Sequence, residues 1–200
     1  MAGVIGRLRE ELRDLNQRIL NHPSLQRPSR DVLNRFVENQ LYIIPHDLRA
    51  ISHMLSKART ADEEEFFKRL LDGDYEASKA LAQLGEELGI KLDYGRLSVK
   101  AVGYTHFLSW LALNGTAGDA AVALTVNLPV WGANVKKLRQ HARSLNIKST
   151  RLFELFAGPF DALEERAEKI AERYLDWSRY RFVAEAIQRY ELDFWDGLIE

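Results

Sequence analysis

Apolar residues recur at three- and four-residue steps along almost the whole chain, and no stretch alternates as a half-buried strand would. From about Val4 to Leu20 they fall at Ile5, Leu8, Leu12, Leu15 and Ile19, predicting one amphipathic helix that ends at the two prolines of "NHPSLQRPS". Ser29 can cap a second helix, in which Leu33, Phe36, Val37, Leu41, Ile44, Leu48, Ile51 and Leu55 keep helical spacing through Pro45. A proline inside a helix removes a donor and crowds the preceding turn, so this long helix is predicted to kink there. "TADEEEFFKRLL" places Thr60 and Glu63 at capping-box spacing with acidic residues in the first turn, and "GDYEASKALAQLGEELGI" reads as a further helix closed by Gly89.

After the loop "KLDYGRLS", the segment "VKAVGYTHFLSWLALN" is apolar enough for a central helix, and "GTAGD" breaks it. The run from Ala117 to Leu145 turns amphipathic after "LPVWG", where Pro129 and Gly132 predict a distortion. "STRLFELFAGPF" is a short helix and turn. The remainder holds one helix with a charged surface and one rich in aromatic residues. The predicted fold class is all-α, a compact multi-helix bundle of about seven or eight helices forming one domain over residues 1–200.

Charge narrows the function classes. Lys and Arg total 28 against 29 Asp and Glu, a formal net charge of -1, so nucleic acid is not an expected partner. The N-terminal segment turns charged within a few residues and resembles neither a signal peptide nor a membrane span, which makes a cytoplasmic location the expectation. There is no cysteine, which removes disulfides, thiolate metal sites and thiol nucleophiles together.

Two carboxylates stand out. Pro45, His46 and Asp47 sit inside an apolar helix, with Asp47 three residues after Ile44 and four before Ile51, beside the apolar stripe. A carboxylate there needs a partner, either a basic residue such as Arg49 or a ligand admitted by the kink. In the last helix, Glu191 stands among Tyr190, Phe194 and Trp195. It is either a surface group on an aromatic core seam or a desolvated acid suited to proton transfer between rings that sandwich a heterocycle. His46 and His53 share a helix face, but the chain has no Glu-x-x-His pair, so no metal site is expected and the histidines read as hydrogen-bonded polar groups.

The order of these features resembles the TenA family, thiaminase-II relatives that share the heme-oxygenase-like helical fold with PqqC. "FVENQLYIIPHDLRAI" resembles the family's second helix, "AVALTVNLPVWGANVKKL" its Leu-Pro-Cys-aromatic segment, and "YELDFWDGL" its terminal Tyr-Glu-x-x-Phe-Trp segment. The resemblance implies that Asp47 binds an aminopyrimidine, that Glu191 is the catalytic glutamate, and that Phe107, Val130, Trp131, Phe156, Tyr190 and Trp195 line the substrate site. Val130 falls where the family has its nucleophilic cysteine, and valine cannot form a covalent intermediate. Phe107 and Phe156 fall where it has tyrosines. The glutamate and histidine set of the iron-dependent relatives is missing from "GDYEASKALAQLGEELGI", so no cofactor is implied.

The expected function is a cysteine-independent hydrolase acting on C–N bonds of an aminopyrimidine-type compound, related to thiamin salvage or degradation. The alternatives are a non-catalytic ligand-binding protein, an oligomeric interaction module using the aromatic last helix, and a PqqC-like metal-free oxidase. The resemblance also implies a homo-oligomer, dimer or tetramer.

Overall fold

Leu12 divides the first predicted helix. In the computed structural model, which describes residues 3–200, α1 (Val4–Glu11) and α2 (Arg13–Leu20) meet at this residue. They part because they serve different neighbours: α1 buries Val4, Ile5 and Leu8, while α2 turns Ile19 into a second apolar cluster. Met1 and Ala2, the start of the expected domain, lie outside the described residues.

After the single turn α3 (Pro23–Gln26), α4 (Arg30–Ser56) runs unbroken through Pro45, and the Ser29 hydroxyl accepts from Val32 N as its spacing predicts. Two helices expected next are one, α5 (Ala61–Leu88). Gly73 inside it costs about 1 kcal/mol relative to alanine. Burying Phe66 and Phe67 on one side of that glycine and Leu81 and Leu84 on the other contributes about 1.5–3 kcal/mol per side chain. Packing therefore overrides the local break. Thr60 caps α5 by accepting from Glu63 N, and Gly89 ends it at φ 69°, a left-handed conformation that favours glycine. Half of the expected capping box is altered: the Glu63 carboxylate accepts from Arg59 N, not from Thr60 N.

A 3-10 turn at Tyr94–Arg96 leads to α6 (Val99–Asn114). The next predicted element is two helices, α7 (Ala117–Val126) and α8 (Leu128–Ser144), joined at Asn127. Pro129 has no N–H to give to α7, and it sits instead in the first turn of α8, where a helix leaves its N–H groups unpaired. The chain closes with α9 (Arg151–Leu155), α10 (Asp161–Arg173) and α11 (Trp177–Asp196).

Two apolar clusters form the interior. One gathers around α1, α7, α10 and the first half of α11, the other around α2, the start of α4, α8 and the end of α11. Tyr104 of α6 packs against both. A cavity opens along the seam between them, which places any site there among α4, α5, α6, α7, α8 and α11.

Candidate functional site

The cavity encloses about 100 Å³. Helix α4 forms its longest wall, because Gln40, Ile43, Ile44, Asp47 and Ile51 follow one another at helical steps on a single face. Leu70 and Asp74 come from α5, Tyr104 and Leu108 from α6, and Glu191 and Phe194 from α11. The α7–α8 junction adds Leu124, Asn127, Leu128 and Trp131, and Phe156 follows α9.

Asp47 is buried, 8% exposed, and accepts a 2.5 Å hydrogen bond at Oδ1 from the Thr105 hydroxyl. No basic residue pairs with it among the described residues, so Arg49 does not play that part. Burial pushes its carboxyl well above the ordinary carboxylate range, the nearby charge of Asp74 adds to the push, and the Thr105 bond opposes it. Burial also raises Asp74, to about 7. One residue after Pro45, His46 Nδ1–H donates to the Tyr42 carbonyl at 2.7 Å, and its ring stacks on Tyr42. Tyr42 in turn hydrogen-bonds His106, and none of these three residues lines the cavity.

Glu191 faces the cavity from α11. It is 2% exposed, which excludes the surface placement that its spacing also allowed. Burial raises its carboxyl to about 7, against hydrogen bonds from Trp195 Nε1, 2.8 Å away, and from the Asn127 side chain. A carboxyl with that proton affinity is divided between its two forms at neutral pH, as proton exchange in both directions requires. The Tyr104 hydroxyl is held protonated, first by burial and then by the charges of Asp47, Glu191 and Asp74.

Of the residues singled out in the sequence, Asp47, Glu191, Trp131 and Phe156 meet around this cavity. Four others lie elsewhere. Phe107 stacks between Trp110 and Tyr190 on the outer side of α6, and Tyr190 lies over Gly103, where a Cβ would sit 3.1 Å from its ring. Trp195 is wholly enclosed behind Glu191 and touches the site only through its indole N–H. Val130 packs into the second apolar cluster, since on α8 it points away from Leu128 and Trp131.

Asp74, Tyr104, Thr105 and Asn127 were not foreseen, while Phe194, named with the rings around Glu191, does line the cavity. Asp74 follows Leu70 by four, a spacing that could have shown a shared face. Asn127 gave no such signal, because it reaches Glu191 only through the helix junction.

A model of the TENA/THI-4/PQQC family matches residues 9–200. The chain belongs to this family. Solved TenA-family structures overlie nearly all of it. A TenA homologue from Pyrococcus furiosus has a TM-score of 0.79 at 22% identity, covering 96% of this chain and 98% of that one. A TenA homologue from P. horikoshii gives 0.76 at 18% identity over 98% of both chains. A protein described as a TenA family transcription regulator, from a Silicibacter species, gives 0.77 at 18% identity over 97% of this chain and 96% of that one. No curated protein matches the chain. At such identities the likeness carries the fold, an all-α heme-oxygenase-like bundle. Among the described residues of this TenA-family chain, no helix is long and apolar enough to cross a membrane, and no three His, Asp or Glu side chains converge as metal ligands would.

Proposed function

We propose that this TenA-family protein is one helical domain that binds a small aminopyrimidine-type heterocycle and hydrolyses a C–N bond on it without a covalent intermediate. One observation carries the reading: Asp47 and Glu191, on α4 and α11, are buried carboxyls in the walls of the same aromatic-lined cavity. In this reading the ring lies against Trp131, Phe156 and Phe194, and Asp47 holds an amino group and a ring nitrogen. Glu191 takes a proton from a water molecule as the water oxygen bonds to the exocyclic carbon. The C–N bond breaks, its electron pair goes to nitrogen, and Glu191 returns the proton so that the nitrogen leaves as ammonia. With no cysteine in the chain, water is the nucleophile.

The test measures ammonia release and calorimetric binding with the aminomethyl form of the thiamin pyrimidine. Glu191→Gln is expected to lower turnover by about 100-fold or more while binding stays within a few-fold. Equal turnover in the variant removes Glu191 from the mechanism. Binding without product in the unaltered protein leaves a ligand carrier instead.

The same proposal includes a cytoplasmic location and self-association. Trp195 cannot serve an interface, being enclosed by its own chain, but Trp110, Leu113 and Phe182 expose apolar surface on α6 and α11. Trp110→Arg with Phe182→Arg is expected to lower the mass measured by light scattering. An unchanged mass removes this face from the interface.

A further inference from the structure

Three consecutive residues of α4, Glu38, Asn39 and Gln40, carry buried polar side chains. The first two are partnered. Glu38 pairs with Arg96 at 2.5 Å, and Asn39 accepts from Ser98 N at 3.0 Å while its Nδ2 donates to the Arg35 carbonyl at 2.8 Å. Gln40 differs. It lines the cavity, is 4% exposed, and its side-chain amide has no hydrogen-bond partner among the described residues. Other buried amides keep one bond: Asn134 donates to the Ile19 carbonyl at 3.5 Å and Gln188 donates to Asn16, so that the amide oxygen alone is unpaired. Gln40 instead leaves both a donor and an acceptor facing the cavity, which destabilises the fold and which a molecule with the complementary pair relieves.

The packing around Gln40 decides which part of a ligand it meets. Of the cavity walls, Ile51, Leu108 and Leu124 belong to the first apolar cluster, while Phe194, Trp131 and Phe156 go with the second. The cavity therefore has an aliphatic end and an aromatic end. Gln40 stands one helical turn from Phe36 and one from Ile44, both in the second cluster, and Phe36 stacks on Trp131 with ring centroids 6.0 Å apart. Its amide thus serves the aromatic end. Asp47 lies two turns further along α4, a rise of about 10 Å, so one flat ring hydrogen-bonded at both edges fits between the two side chains.

We propose that Gln40 is a specificity-determining residue: its amide reads the ring edge remote from Asp47 and selects flat ligands that present an uncharged donor and acceptor side by side there, as a carboxamide or lactam does. This rests on the cavity being the ligand site proposed above, and it adds a second polar contact to that site. A primary amide holds its carbonyl acceptor and its N–H donors in one plane, so a partner amide closes two hydrogen bonds with it at once. A ligand with only one of the two groups leaves the other half of Gln40 unpaired, and that loss discriminates against it. Phe156 and Phe194 carry no polar atom that could take the missing place.

The probes are benzamide and acetophenone, which share one shape; the first offers a donor and an acceptor, the second an acceptor alone. Both are titrated calorimetrically against the unaltered protein and Gln40→Met, a change that keeps side-chain length and removes both polar atoms. The aminomethyl form of the thiamin pyrimidine is run in parallel. The unaltered protein is expected to bind benzamide at least about fivefold more tightly than acetophenone, and Gln40→Met to lose most of that preference. Thermal unfolding reports whether the variant folds. If it does not, the two probes on the unaltered protein decide. Equal affinity for the probes, no binding of benzamide, or a preference unchanged in folded Gln40→Met overturns the inference. Pyrimidine binding with no benzamide preference overturns it and leaves the aminopyrimidine reading intact. A benzamide preference that Gln40→Met removes, with no pyrimidine binding, supports it and overturns that reading instead.

Discussion

Trp195 donates its indole N–H to Glu191 across one turn of α11, 2.8 Å away, from a position with no solvent exposure. The tryptophan therefore acts on the cavity without touching it, by stabilising the ionised carboxylate that burial opposes. Replacing it with phenylalanine keeps an aromatic body and deletes the donor. Trp195→Phe is expected to raise the proton affinity of Glu191 further, moving the acidic limb of the pH–rate profile upward by about one pH unit. An unmoved limb would show that another group sets it.

Glu191 itself makes stability depend on pH, and the direction follows from its raised proton affinity. Between its ordinary value of 4.5 and about 7, the folded chain keeps a proton that the unfolded chain has released. Stability therefore falls as pH rises through that window, by about 3 kcal/mol once complete. Glu191→Gln has no such loss. Denaturant unfolding should show the variant gaining on the unaltered protein as pH rises from 4 to 8. A stability difference that stays constant across that range would contradict this account.

Thr105 is the one hydrogen-bond donor to Asp47 among the described residues. Thr105→Val preserves the shape of the side chain and removes the hydroxyl, so Asp47 ionises less readily. Binding of an aminopyrimidine at neutral pH is expected to weaken about tenfold, which calorimetry would read directly. Unchanged affinity would mean that the ligand does not use the ionised form.

Away from the cavity, Gly118 lets α7 pack directly against Tyr180 and Tyr174. A Cβ there would overlap the Tyr180 hydroxyl, which is buried and donates to the Ala171 carbonyl at 2.8 Å. Gly118→Ala must displace Tyr180 or break that bond. A cost of about 2–4 kcal/mol is expected, seen as a lower melting temperature.

Much of the fold was legible because packing and periodicity agree, as in α4, where Ser29 begins the helix and the apolar positions run through Pro45. Sequence reading failed where local and tertiary preferences conflict. Gly73 reads as a break, yet buried residues on both sides hold α5 together, and Leu12 continues the periodicity at a point where the chain changes neighbours. In the site, Asp47 could be named because it lies beside an apolar stripe inside a helix, and Glu191 because it stands among aromatic residues. Asp74 escapes notice because "GD" reads as the start of a new helix, although its place four residues after Leu70 puts the two on one face of α5. The family resemblance assigns Phe107 and Tyr190 to the site, yet they stack on each other and do not line the cavity, with Tyr190 lying over Gly103.

The junction at Asn127 sets the terms for rebuilding thiol chemistry in this scaffold. Sequence register would put the replacement at Val130, where a thiol would be buried in the second apolar cluster and kept protonated. The position that meets Glu191 is three residues upstream, at the bend between α7 and α8. Any attempt to graft a nucleophile here should follow the bend in the backbone, because a cysteine at 127 would stand next to the proton acceptor and one at 130 would be a silent core substitution.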